Sequence, residues 1–210
     1  MADELVSRDA ARADLARLLA ACYYEPDATL AEEKVFDSLH TAAAAIDAAL
    51  GDHAARLRDA YAADDPQTLL VDYTRLFLGP VQALARPYGS VWLERPTEVM
   101  QDSTAAVTAL YAEGGFEIDE GFRELPDHVA AELEFLYLLT FRALQARASE
   151  DDAARAAANA LRTTLLAEHI GRWCTPFTAA LRDGAQTSFY RELAELTEAF
   201  IRRERHAHAL

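Results

Sequence analysis

Asp127 and His128 stand side by side in the stretch ELPDH (124–128), and the apolar run VAAELEFLYLL follows at once. An Asp beside a His is the material of a catalytic dyad, a pair of metal ligands, a helix cap or part of a binding surface. A dyad needs a nucleophile. The chain has no GxSxG elbow, Ser90 in YGSVW lacks the elbow's glycine spacing, and neither cysteine has a recognisable histidine partner. A carboxylate-rich di-iron site needs Glu-x-x-His, and none of the six histidines has a glutamate three places before it. His128 and Glu132 share the i, i+4 spacing of one helix face, and His169 and Cys174 lie five apart. Neither pair fills a coordination sphere, and HExxH is absent. The phosphate-cradling patterns GxxxxGK[ST] and GxGxxG are also missing. In the cap reading, Pro126 suits an early helix position and Asp127 in the first turn complements the helix dipole. In the binding reading, Glu124, Asp127 and His128 cluster at one helix entrance behind a loop and present polar groups to a ligand.

A second candidate is RPYGSVWLER (86–95), in the main irregular stretch, 79–96. Loops this long inside a compact domain are often functional. Tyr88 and Trp92 can plug the core or anchor a recognition surface. Glu94, Glu98 and Asp102 follow closely. Aromatics beside carboxylates suit a peptide carrying arginines and apolar residues, because carboxylates bind guanidinium bidentately.

Helices must position these groups. Leu15, Leu18, Leu19 and Cys22 mark one helix over about 8–24. Thr29 and Glu32 form a capping box that opens a second, which Gly51 ends. A short helix covers about 53–62. Pro66 starts the next, whose stripe is Leu69, Leu70, Tyr73, Leu76 and Phe77 and whose stop is Gly79-Pro80. Another spans about 97–113, and a loop over 114–123 leads to ELPDH. The helix after it is apolar on more than one side and therefore central. Ser149 with Asp152 caps a helix to about 168. A short one surrounds Trp173-Cys174, with Pro176 in or near its first turn, and a last one carries Phe189, Leu193, Leu196 and Phe200. The expectation is a single all-α domain over 1–210, a helical bundle of roughly eight to nine helices.

The 210 residues carry a net charge of −15, which opposes nucleic acid and favours a basic partner, unless the acidity serves only solubility. Cys22 and Cys174 read as free buried thiols. No basic n-region precedes an apolar h-region, and no run reaches bilayer length, so a cytoplasmic protein without stable membrane insertion is expected.

Four segments, in order, carry a family resemblance: DYTRLFLGP (72–80), RPYGSVWLER (86–95), ELPDHVAAELEFL (124–136), and EHIGRWCTPFTAAL (168–181) with FYRELAELTEAF (189–200). Together they resemble the TorD/DmsD/NarJ redox-enzyme maturation chaperones. The resemblance implies an all-α, non-catalytic protein without a cofactor or metal of its own. It implies a cytoplasmic partner: the apo-molybdoenzyme catalytic subunit, held by its twin-arginine signal peptide until the molybdenum cofactor is inserted. It also implies a monomer or a homodimer, the latter with or without a domain swap. The implied peptide-binding surface is Tyr73, Leu76, Phe77, Pro87, Tyr88, Ser90, Trp92, Glu124, Asp127 and His128, to which the bottom-up reading adds Glu94. In this reading Glu124 and Asp127 meet the arginines, and the stripe of Tyr73, Leu76, Phe77, Tyr88 and Trp92 accepts the apolar part. The TorD and DmsD branches place the third-motif proline one position earlier than Pro126, and ELPDH looks more like the NarJ side, which leaves subfamily and client open. The competing readings are a small hydrolase using Asp127-His128 and a generic acidic scaffold.

Overall fold

Alanine, leucine, glutamate and arginine dominate the chain, and these are strong helix formers. The computed structural model describes residues 2–27, 29–79, 83–119 and 121–208. Along them run α1 (Ala2–Ala21), α2 (Thr29–Glu32), α3 (Val35–Ile46), α4 (Ala48–Ala63), α5 (Pro66–Tyr73), α6 (Gly89–Leu93), α7 (Asp102–Glu113), α8 (Val129–Ala148), α9 (Asp152–Glu168), α10 (Ile170–Gly184) and α11 (Ser188–His208). A π-helical turn, Thr74–Leu78, continues α5. Nine of these helices reach eight residues, and among the described residues no strand forms, as the all-α expectation requires.

Helix contacts close a circuit: α1 packs on α3, α3 on α4, α4 on α11, α11 on α10, α10 on α9, α9 on α8, and α8 on α1. One contiguous apolar core joins them, with Trp173, Tyr23, Tyr190, Phe177 and Phe189 among its largest fully buried side chains. Cys22 and Cys174 are both free and buried there. No helix among the described residues is long and apolar enough to cross a membrane.

Several boundaries depart from the sequence reading, each for a local reason. The helix expected over 29–51 is broken at Lys34, which takes a left-handed φ of 53°, and again at Asp47. Asp47 is extended and its carboxylate accepts from the Ala49 N–H at 2.8 Å, which restarts the chain as α4. Gly51 therefore ends nothing. It lies inside α4, where a Cβ would meet the Ala44 Cβ at 3.0 Å, so its role is close helix approach. The helix expected from 97 begins at Asp102, because the Gln101 amide ties the Ser90, Arg95 and Glu98 carbonyls into a turn before it. Asp151 rather than Ser149 caps α9, accepting from the Ala154 N–H at 2.9 Å. Pro176 sits within α10, which is far longer than the short helix expected.

The π-helical turn sets the centre of the fold. Leu76 and Phe77, both within this turn, are buried. The Phe77 ring meets Tyr73 at 5.1 Å, Tyr190 at 5.6 Å and Tyr23 at 6.2 Å. Asp72, 1% exposed, ties this turn to the start of α11. One oxygen accepts from Arg75 at 2.6 Å; the other accepts from the Gln186 N–H, the Thr187 N–H and the Thr187 hydroxyl at 2.9, 2.8 and 2.8 Å. Arg75 also donates to the Gly184 carbonyl. Asp72→Ala leaves several of these donors unpaired. We expect it to cost about 3–5 kcal/mol in urea denaturation. A loss under about 1 kcal/mol would mean that this network does not hold the turn.

Candidate functional site

The two motif loops cross. The Gly89 N–H donates to the Asp127 carbonyl at 2.8 Å and the Val129 N–H to the Pro87 carbonyl at 2.8 Å, on either side of an antiparallel bridge between Tyr88 and His128. The Asp127 carboxylate accepts from the Ser90 N–H at 2.8 Å, so it holds the entrance of α6, not the first turn of the following helix. His128 takes that second task. It is the N-cap of α8, and its Nδ1 accepts from the Ala130 N–H at 3.1 Å, which leaves the proton on Nε2. The two side chains thus serve separate backbone groups. Their hydrogen bonds do not join them as a dyad, and the hydrolase reading loses its general base.

Gly89 is dictated by what lies under it. A Cβ there would meet the Trp173 Nε1 at 2.8 Å and a Glu132 oxygen at 3.2 Å. Trp173 donates to the Glu132 carboxyl at 3.2 and 3.3 Å, and both side chains are buried. Burial pushes the Glu132 carboxyl well above the usual carboxylate range, which favours the neutral acid. Glu132 is therefore a core hydrogen-bond partner, and no cluster of metal-ligating groups exists among the described residues.

His128 forms the floor of a half-exposed aromatic and acidic mouth. Tyr24 stacks on its ring at 6.1 Å and 13°, while Tyr88 meets it edge-on at 5.4 Å. The Tyr88 hydroxyl donates to Glu124 at 2.7 Å, and the Tyr24 hydroxyl donates to Glu134 at 2.9 Å. Burial and the Glu124 carboxylate push the Tyr73 hydroxyl up to about 12, and the same influences raise Tyr88. Tyr24 is raised by burial and by Glu134, with Glu124 contributing. Glu124 is thus near all three tyrosines, which stay neutral. Burial drives His128 down to about 4, against the opposing pull of Glu124 and Asp127, so the imidazole is uncharged at neutral pH.

The remaining expected residues fall into distinct places. Tyr73, Leu76, Phe77, Pro87 and Ser90 are buried. The stripe expected to accept an apolar ligand is therefore core: Tyr73, Leu76 and Phe77 share one helical face with buried Leu69 and pack inward with it. Asp127, 1% exposed, is likewise too deep to meet a guanidinium, and its work is on Ser90. Trp92 is half-buried: its Nε1 donates to the Arg86 carbonyl at 2.8 Å and its ring packs on Phe177 at 6.2 Å. Glu94 is exposed, accepts from the Ser103 N–H at the start of α7, and lines a different groove with Asp102, Glu113, Glu168 and His169. That leaves Tyr88 and Glu124 at the mouth. Sequence reasoning missed Tyr24 and Glu134. The run Tyr23-Tyr24-Glu25 before Pro26 was a signal, since it places an aromatic and acid pair at a helix end.

Comparison with known proteins follows this geometry. Residues 43–179 match the family model of the nitrate reductase delta subunit. The Tat proofreading chaperone DmsD of Salmonella typhi is 32% identical over 124 residues, 59% of this chain and 54% of DmsD. The chaperone protein YcdY of Escherichia coli is 31% identical over 137 residues, 65% of this chain and 63% of YcdY. The chaperone protein TorD of Vibrio cholerae is 26% identical over 144 residues, 66% of this chain and 61% of TorD. The matches thus span little more than half the length of these curated relatives. The fold is that of a candidate redox enzyme maturation protein from Archaeoglobus fulgidus, with a TM-score of 0.51 at 17% identity, over 94% of each chain.

The buried imidazole makes stability depend on acid. With a folded value of about 4 against an ordinary 6.5, its contribution is complete above pH 6.5 and is lost as pH falls toward 4. His128→Asn keeps an N-cap acceptor without a titrating group. In urea titrations it should flatten the loss over that window by about 3 kcal/mol at most. Superimposable pH profiles for the two proteins would refute a neutral buried His128.

Proposed function

This chain belongs to the nitrate reductase delta subunit family, and on that premise we propose that it is a chaperone of molybdoenzyme maturation. It binds the twin-arginine signal peptide or N-terminal region of an apoenzyme's catalytic subunit in the cytoplasm, as a monomer or a homodimer with or without a domain swap, until the molybdenum cofactor is inserted. Its work is binding and not catalysis, in keeping with the names of DmsD and TorD.

The observation that carries this reading is the mouth formed by Tyr24, Tyr88 and Glu124 over a neutral His128. Glu124 accepts one hydrogen bond from Tyr88, and a carboxylate has several acceptor positions, so a guanidinium can bind alongside. Tyrosine faces add cation–π attraction. An uncharged His128 matters here, since an imidazolium under the site would oppose an arginine and cancel part of the Glu124 field. Pro87, Ser90, Asp127 and His128 position the mouth, while Tyr73 and Trp92 pack around it. The net charge of −15 steers a basic segment inward, so association should weaken with salt. A chaperone must release its client, and micromolar affinity, about −8 kcal/mol, suffices.

Calorimetric titration tests this with a synthetic peptide carrying an arginine pair followed by an apolar run. Wild type should prefer it to a lysine-pair version, because lysine lacks the planar fork. Glu124→Gln should weaken binding by about tenfold or more, as a charge-assisted bond is worth about 1.5–3 kcal/mol. Equal binding of the arginine and lysine peptides, with no effect of Glu124→Gln, would sink the proposed site.

A further inference from the structure

We infer that the apolar segment following the arginines of the client lies along α8, in the groove between α8, the end of α7 and the loop residues Phe116, Ile118 and Phe122. This rests on the chaperone reading, but it moves the apolar contact away from the buried Tyr73, Leu76 and Phe77.

The groove has a volume of about 220 Å³ and an apolar lining that includes Phe116, Ile118, Phe122, Phe135 and Leu138. It is below the ~300–1,000 Å³ of small-molecule and cofactor sites and suits the anchor side chains of a peptide. Its floor is preformed. The Phe135 ring packs edge-on with Tyr111 at 4.6 Å and Phe116 at 5.4 Å, and Arg142 lies over the Phe116 ring at 4.1 Å. Tyr111 is further fixed by donating to the Pro126 carbonyl at 2.8 Å, in the same loop that carries Asp127 and His128. A preformed floor spares a ligand the entropy of ordering it.

Two observations choose the occupant. First, the groove and the mouth share Glu134, which lines the groove and accepts from Tyr24, the residue that stacks on His128. Second, the charged groups lining it are all carboxylates, Glu117, Asp119 and Glu134. An apolar segment with basic residues at one end matches both the lining and the charge, whereas an acidic segment matches neither. Glu134, Leu138 and Phe141 stand at i, i+4 and i+7 on one face of α8, and Phe141 and Ile118 remain 43% and 37% exposed. The client accordingly runs in the same direction as α8, with its arginines at Glu124 and its apolar residues at Leu138 and beyond.

Leu138→Ser and Ile118→Ser remove apolar contact without changing charge, and neither side chain is fully buried, so the fold should persist by circular dichroism. Calorimetry would use two probes, the arginine-pair peptide with its apolar run and the same peptide with that run replaced by serines. In each variant the Kd for the first should rise about tenfold, while the Kd for the second stays at the wild-type value. Unchanged affinity of both folded variants for the apolar peptide would overturn the groove, as would wild type binding the two peptides equally well. Those results would leave the chaperone reading standing. Wild type binding neither peptide would instead overturn the chaperone reading and the groove with it.

Discussion

Everything at the candidate site depends on one crossing of two irregular segments, where Tyr88 and His128 form an isolated bridge with backbone hydrogen bonds on either side. Loops buried against a helical core carry polar backbone groups that must be satisfied. Here each loop satisfies the other: Asp127 serves the Ser90 N–H, while the Pro87 carbonyl serves the Val129 N–H. Gly89 lets the pair sink onto Trp173 and Glu132. Without this mutual pairing neither segment could lie so deep, and Tyr88 would have no fixed position from which to reach Glu124.

Burial then sets the charges. Glu132 and His128 lie one helical turn apart, yet the same desolvation raises the carboxyl and lowers the imidazole, because each is pushed toward its uncharged form. Neither of these two groups therefore adds a buried charge beneath the mouth, where an unpaired ion would cost several kcal/mol.

The helical class and the four ordered motifs were legible because they rest on local signals: helix-forming composition, apolar spacing, and glycine or proline punctuation. Most helix ends were legible only within a few residues, since Asp47, Asp151 and Gln101 act through side-chain bonds that position alone does not reveal. The stripe of Tyr73, Leu76 and Phe77 was rightly read as apolar and helical. Its exposure was misjudged, because an apolar stripe that packs into the core and one that faces a ligand have the same spacing in the sequence. Tyr88 and Glu124 were found through their motifs. Tyr24 lies outside the motifs, and its meeting with Glu134 of the third motif left no local sign, because it joins residues 110 apart in the chain.

The division between motif and mouth has a consequence for how function is read from substitutions. Asp72, Gly89, Ser90, Asp127 and His128, the most motif-like residues, are buried and engaged with backbone or core. Altering them disturbs the loop crossing or the π-helical turn, and any loss of binding arrives through the fold. Glu124, Glu134 and Tyr24 are more exposed and can be altered while the crossing stands. A substitution that lowers affinity and stability together therefore speaks for positioning. One that lowers affinity at constant stability speaks for contact. Only the second kind identifies groups in contact with a ligand, and the residues open to that distinction, Tyr24, Glu124 and Glu134, are the more exposed ones around the mouth.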